Sequence, residues 1–132
     1  MGNSKLAADR PLSPHLQIYR PMLTMLMSIA HRITGFGNAV GFLLLAWWLV
    51  AIAAGPEQYA VVSTFFASIA GRALLFLFSW SLIHHMLGGI RHLIWDFGYG
   101  MEPGTRMNMA RATPIAAAIL TVLIWAVAFL TR

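Results

Sequence analysis

The sequence predicts an all-α integral membrane protein with three transmembrane helices. Of its 132 residues, 59% are hydrophobic and only 10% are charged, whereas soluble domains carry about 25% charged residues. A chain this short has too high a surface-to-volume ratio to bury that much apolar surface in its own core. Three stretches free of Asp, Glu, Lys and Arg approach the ~20 residues that a membrane-spanning helix requires. These stretches are 33–56, 73–90 and 112–131.

The chain is expected to form a single membrane-anchor domain. The expected divisions of residues 1–132 are an N-terminal segment 1–21 and helices at about 22–55, 64–96 and 111–131. Weakly polar flanks extend the first two helices beyond their uncharged cores. Gly55-Pro56 ends the first helix because proline cannot continue it, and the Gly- and Pro-containing segment 97–104 marks the second break.

The positive charges predict the orientation of the chain in the membrane. They fall mainly on the side shared by the N-terminal segment and the second loop: Lys5, Arg10, Arg20, Arg32, Arg91, Arg106 and Arg111. The other side carries Arg72 and Arg132. The positive-inside rule then predicts a cytoplasmic N-terminus and a periplasmic C-terminus in a bacterial inner membrane. The first 20 residues have no apolar core, so we do not expect a signal peptide.

The same charges do not favour nucleic acid as a partner. The net charge is +5, but apolar segments separate the basic residues and no basic run has interleaved aromatics. The 132 residues contain no cysteine, so they cannot form a disulfide, a thiolate zinc site or a cysteine-held iron–sulfur cluster.

Histidines in the second span are candidate functional residues, because ionisable groups within a membrane are costly. At about 100° per residue, His85, Gly88, His92 and Asp96 share one helix face. Neutral imidazole is a common axial ligand of haem iron, and small residues one turn away let a flat ligand or a second helix approach closely. These features favour His85 as an axial ligand, with His84 in a packing role or as a secondary contact. The alternative is that these histidines only hydrogen-bond across a helix interface.

A second polar cluster lies at the cytoplasmic end of the first span, at the depth of Asp96. Ser28, His31 and Arg32 are spaced i, i+3, i+4 and share a helix face. Their hydroxyl, imidazole and guanidinium groups are suited to quinone oxygens, and His31 or Arg32 could equally neutralise haem propionates. For Arg32, the alternative is snorkelling to the lipid headgroups. His85 lies roughly 16 Å deeper than Asp96 at about 1.5 Å per residue, so both clusters indicate a site near the cytoplasmic surface.

Two motifs in this sequence resemble those of the cytochrome b556 subunits of succinate dehydrogenase. Residues 28–35 read S-x-x-H-R-x-T-G, and residues 85–98 read H-x-x-x-G-I-R-H-x-x-x-D-x-G. A third matching string, beginning with Arg-Pro, occupies residues 10–16. The resemblance extends to chain length, the number of spans and the order of the motifs, and so covers nearly the whole chain.

The resemblance implies that this chain and a second hydrophobic anchor subunit share one haem b. Each subunit supplies one axial histidine, here His85. It also implies that Ser28, Arg32 and Asp96 belong to a ubiquinone site, and that His31, Arg32 and His92 lie near the haem.

The resemblance further implies two peripheral partners: a flavoprotein with FAD that oxidises succinate, and an iron–sulfur subunit that passes the electrons inward. The chain lacks a nucleotide-binding glycine loop after a strand, so it is not expected to oxidise succinate itself. It would act as part of a succinate dehydrogenase (quinone) complex.

Three other functions fit parts of the sequence. A related quinol:fumarate reductase anchor would run the reaction in the opposite direction, and its haem-free forms would not need His85. A transporter or channel subunit would place ionisable residues throughout the bilayer depth, whereas here they cluster at one end. A purely structural assembly subunit would tolerate loss of His85 and Arg32 without loss of electron transfer.

Overall fold

The computed structural model describes residues 18–131, which form four α-helices. They are α1 (Leu23–Ala54), α2 (Pro56–Ala67), α3 (Ile69–Asp96) and α4 (Pro103–Leu130). Three of them, α1, α3 and α4, are long and apolar enough to cross a membrane. The predicted all-α class with three spans is therefore confirmed. The 10–16 string, Lys5, Arg10 and Arg132 lie outside the described residues.

A single residue, Gly55, separates α1 from α2. α1 ends at Gly55, whose φ of 113° is readily adopted only without a β-carbon. Pro56 begins α2 immediately, since its fixed φ suits the first helical position. α2 is a short helix that the sequence analysis did not anticipate as a separate element.

The second spanning helix starts at Ile69, later than the expected position of about 64. Ser68 separates α2 from α3 with an extended backbone, and its Oγ accepts a hydrogen bond from the Gly71 amide at 3.0 Å. Gly71 packs against the backbone of Phe65, and a β-carbon there would overlap it. Residues 64–67 are helical, but they belong to α2. This break was not predicted, because a single serine N-cap is a weak signal within the mainly apolar residues 64–71.

The third spanning helix starts at Pro103, well before the expected position of about 111. Gly98 and Gly100 have φ values of 81° and 70°, which reverse the chain after α3. Pro103 then occupies the first turn of α4. The expectation of 111 followed the end of the charged stretch, but α4 continues past its apolar core and begins at Pro103. Arg106 and Arg111 lie on this exposed extension.

The helices pack through small and polar residues and expose their large apolar side chains. The buried positions of α4 are Ala110, Thr113, Ala117 and Thr121. On α1, Gly41 lies so close to the Phe78 ring of α3 that a β-carbon would overlap it. Side chains such as Phe36 and Leu43 point outward. This arrangement suits lipid, where close backbone approach rather than apolar burial holds helices together.

Gly41 should therefore be needed for the packing of α1 on α3. Gly41→Ala is expected to destabilise the purified complex by about 1–3 kcal/mol, the usual cost of overpacking. Thermal unfolding in detergent measures this effect. Gly89→Ala is the matched control, because nothing lies within 4 Å of a β-carbon there and alanine favours helix. Equal stability of the two variants would contradict the proposed close contact.

Candidate functional site

Two histidines interlock where α1 crosses α3. The rings of His31 and His85 stack with centroids 3.9 Å apart and planes only 3° from parallel. A glycine on the opposite helix faces each ring. A β-carbon at Gly35 would approach His85 Cε1 to 3.0 Å, and one at Gly88 would overlap the His31 ring. Each glycine thus makes the space that the other helix's imidazole fills.

This packing decides between two expectations about Gly88. The glycine was expected to admit a flat ligand or a second helix one turn from His85, and the His31 ring of α1 occupies that space. A single helix face could not distinguish the two, because it does not show what the neighbouring helix contributes. At the adjacent Gly89, no described atom lies within 4 Å of where a β-carbon would be, so the open side of α3 lies there.

The hydrogen bonds of His85 define its tautomer. Its Nδ1 lies 3.0 Å from the His31 backbone carbonyl oxygen. A carbonyl oxygen only accepts, so Nδ1 must carry the proton in this bond. In the neutral ring, Nε2 then keeps its lone pair. The described residues provide no hydrogen-bond partner for Nε2. The lone pair lies in the plane of the ring, so stacking on His31 leaves it accessible.

The Thr34 hydroxyl lies between His85 and its neighbour in sequence, His84. Its Oγ1 lies 3.4 Å from Nδ1 of both His84 and His85. The hydroxyl also contacts the carbonyl oxygens of Ala30 and His31, at 2.9 and 3.0 Å. Ser81 donates to the Thr34 carbonyl oxygen at 3.0 Å and ties α3 to α1 at the same level. These bonds restrict the rotation of both imidazoles.

His84 and His85 differ in environment although they are adjacent. His84 is only 2% exposed and stacks on Trp80 with ring centroids 5.2 Å apart. His85 is half-buried at the edge of the α1–α3 contact. Of these two neighbours, His85 is the more accessible to a ligand from outside the chain. The packing role expected for His84 agrees with its burial.

The remaining candidate residues divide between the histidine cluster and the helix ends. The His92 ring lies 5.4 Å from the His31 ring and meets Trp95 edge to face. Ser28 is half-buried, three residues before His31 on α1. Arg32 and Asp96 are exposed, and within residues 18–131 neither side chain has a hydrogen-bond or ionic partner. The structure thus brings together His31, His85 and His92 but does not pair Arg32 with Asp96.

The side chains near His85 are better suited to supplying one ligand to haem iron than to forming a metal site from protein ligands alone. Among the described residues, no three His, Cys, Asp or Glu side chains could hold a metal ion together. A haem needs only one or two imidazoles because the porphyrin supplies the other ligands. His85 also has the carbonyl partner on its second ring nitrogen that orients metal-binding histidines generally. The residues around His85 are therefore compatible with a haem site.

Sequence reasoning missed two further groups of residues at this end of the bundle. Thr34 and Ser81 form the bonds between α1 and α3, and Thr34 could have been found because it follows His31 by three positions. Arg91 was noted for its charge alone, yet it is only 4% exposed and contacts Thr113 of α4. No signal in one sequence distinguishes a buried arginine from one that snorkels.

Comparisons with known proteins agree with the geometry of this site. Residues 7–129 match the family model of the succinate dehydrogenase/fumarate reductase transmembrane subunit. The chain is 40% identical over 115 residues to the succinate dehydrogenase cytochrome b556 subunit of Paracoccus denitrificans, covering 87% of this chain and 88% of the relative. The Rickettsia prowazekii subunit of the same name is 34% identical, with 88% and 90% covered.

A mitochondrial protein is also similar. The human succinate dehydrogenase cytochrome b560 subunit is 36% identical over 104 residues, which cover 76% of this chain and 60% of the human protein. Residues 7–129, matched by the family model, include α1, α3 and all but the last residue of α4. The chain is therefore a multi-pass membrane protein of the succinate dehydrogenase/fumarate reductase transmembrane subunit family.

Proposed function

We propose that this chain is the cytochrome b membrane anchor of a succinate:quinone oxidoreductase. In this proposal it binds haem b with a second anchor subunit and forms part of the ubiquinone-reduction site. The observation that carries the proposal is the imidazole of His85, whose Nδ1 is bound to the His31 carbonyl oxygen while Nε2 has no partner among the described residues. Relatives named as cytochrome b subunits support it.

The chain's contribution to haem binding is one ligand and its support. His85 Nε2 would hold the haem iron, and the His31 carbonyl with Thr34 keeps the ring from turning. His31, Arg32 and His92 provide groups that neutralise propionate carboxylates. When bound, the haem supplies a one-electron carrier within the membrane. The partner anchor subunit would supply the other protein ligand to the haem.

The proposed quinone site lies at the ends of α1 and α3. Ser28 donates a hydrogen bond to a quinone carbonyl oxygen, and Arg32 stabilises the negative charge that develops on that oxygen during reduction. Asp96, the last residue of α3, helps deliver the two protons that reduction consumes. The exposure of Arg32 and Asp96, without partners among residues 18–131, supports this role because both remain available to a ligand or subunit.

The complex divides the chemistry between membrane and cytoplasm. A flavoprotein with FAD oxidises succinate, and an iron–sulfur subunit carries the electrons to the cytoplasmic end of this chain. Residues 1–132 act as one anchor domain in the bacterial inner membrane. The N-terminus is cytoplasmic and the C-terminus periplasmic, as favoured by the excess of basic residues on one side.

The axial ligand can be tested by spectroscopy of the purified complex. The native complex should give a b-type reduced-minus-oxidised spectrum, and His85→Ala should abolish or shift it because the iron loses a ligand. His84→Ala is the matched control, since His84 is buried against Trp80 and should leave the b-type signal in place. A native complex without a haem signal, or an unchanged spectrum in His85→Ala, would refute the assignment.

The quinone residues can be tested by separating two activities of the complex. Arg32→Leu should lower succinate:ubiquinone reduction by roughly 100-fold, the cost of losing a donor that stabilises developing charge. Ser28→Ala should lower it less. Succinate oxidation with a soluble dye should persist, because that step needs no quinone site. Arg106→Leu, exposed on α4, is the control. Equal quinone reduction in Arg32→Leu and Arg106→Leu would remove Arg32 from the site.

Thr34 should tune the haem without binding it. Thr34→Val keeps the shape of the side chain but removes the hydroxyl that reaches both histidines. The His85 ring should then turn more freely, with a shifted haem midpoint potential and altered low-spin EPR g values. Thr121→Val is the control, because the Thr121 hydroxyl is buried but bonds only to Ala117 of its own helix. Identical potentials in both variants would limit Thr34 to helix packing.

A further inference from the structure

Arg91 is the one buried arginine among residues 18–131. It lies on α3 and is 4% exposed. One terminal nitrogen is 3.4 Å from Thr113 Oγ1 on α4, and the guanidinium carbon is 5.1 Å from the Trp95 ring centroid. Its Nε is buried and has no acceptor among the same residues. Because a guanidinium stays protonated in proteins, α3 carries a buried positive charge at this point.

The partners of this charge within the described chain are neutral. None of the carboxylates of residues 18–131 forms an ion pair with Arg91; these carboxylates are Glu57, Asp96 and Glu102. The Thr113 hydroxyl and the face of the Trp95 ring reduce the cost of burying the cation. They carry no net charge, however, so the long-range field of the guanidinium remains uncompensated.

The surroundings of Arg91 screen this field weakly. Arg91 precedes the end of α3 by five residues, or about 7.5 Å of helix. The 28-residue helix is about 42 Å long, so it extends only roughly 6 Å beyond each side of a ~30 Å hydrocarbon core. Arg91 therefore lies just inside the core, where neither water nor mobile ions surround the charge. Coulomb interactions are stronger there than at a hydrated surface.

Arg91 is also close to the stacked histidines, although it faces α4 and they face α1. It follows Gly88 by three residues, or about 4.5 Å of helix, and the His31 ring lies over Gly88. His31 in turn stacks on His85 at 3.9 Å. His85 itself precedes Arg91 by six residues, or about 9 Å along the helix axis. The field of Arg91 thus acts on the proposed axial ligand over a distance on the order of 10 Å.

The arginines at the cytoplasmic end of α4 do not have this property. Arg106 and Arg111 are exposed, so water and counter-ions screen their charges. The Debye length is about 8 Å at physiological ionic strength, and a surface charge acts weakly beyond it. Among these three arginines, only Arg91 combines burial with a position close to His85.

We propose that the uncompensated charge of Arg91 raises the midpoint potential of the haem that His85 binds. This inference rests on the proposed function. Reduction adds one electron to ferric iron and gives ferrous iron, so the haem loses one positive charge and a nearby cation favours the reduced form. At a separation on the order of 10 Å and an effective dielectric constant of about 20, one charge changes this equilibrium by about tenfold. Arg91 acts through its field and contacts neither the haem nor a substrate.

The test is a potentiometric titration of the haem in the purified complex, with redox-mediator dyes as the electron source. Arg91→Met and Arg91→Gln both remove the charge, but they differ in polarity and shape. Thr113→Val removes the hydroxyl that contacts Arg91 and keeps the charge. Arg111→Gln, which removes an exposed arginine on α4, is the matched control.

Both Arg91 variants should keep the b-type spectrum and have lower midpoint potentials, each corresponding to a change of about tenfold in the reduction equilibrium. Thr113→Val and Arg111→Gln should titrate as the native complex does. A packing effect would instead separate the two Arg91 variants from each other or shift Thr113→Val equally. That result, an unchanged potential in both Arg91 variants, or loss of the haem from both would overturn the inference.

Failure of this inference can be distinguished from failure of the proposed function. A native complex with a b-type signal that disappears in His85→Ala, but with the same potential in Arg91→Met, would overturn the role of Arg91 alone. A native complex without any haem signal would refute the proposed function and this inference together.

Discussion

The crossing of α1 and α3 depends on two reciprocal contacts between histidine and glycine. Gly35 makes room for His85, and Gly88 makes room for His31, so the two rings stack between the helix backbones. Without either glycine the helices would have to separate, and the His31 carbonyl would no longer reach His85 Nδ1. The position of the proposed ligand is thus a direct consequence of how closely the two backbones approach.

The membrane environment explains why this crossing is polar. Lipid is as apolar as leucine, so burying leucine between helices gains little, and close packing and hydrogen bonds hold the bundle together instead. The interior accordingly contains Thr34, Ser81, His84 and Thr121, most of them bonded to backbone carbonyl oxygens or to each other. The large apolar side chains face outward, where lipid or partner subunits cover them.

The polar regions on the two sides of α3 have different requirements. On the α1 side, His84 and His85 have hydroxyl or carbonyl partners, whereas His31 Nδ1 is buried without a partner among residues 18–131. On the α4 side, Arg91 Nε and Trp95 Nε1 are buried donors without acceptors among the same residues. Both regions therefore retain buried polar atoms that the described residues do not satisfy. Both are consistent with a subunit whose stability depends on what it binds in the membrane.

The sequence by itself determined the class of protein, the three spans and the identity of the candidate residues. Composition and uncharged length decide these, because the cost of a charge in lipid is large and independent of packing. The motif spacing also singled out His85 over His84. Helix ends were less predictable: α2 and the early start of α4 depend on the Ser68 cap and on Gly98 and Gly100, which are weak local signals.

Only the tertiary structure decided what each polar residue contacts. Periodicity places His85 and Gly88 on one face, but it could not show that His31 from another helix fills the space over Gly88. It could not show that Thr34 joins His84 to His85, nor that Arg91 is buried against α4. The physical reason is that these contacts join residues about 20 to 50 positions apart, and their geometry depends on the distance between helix axes.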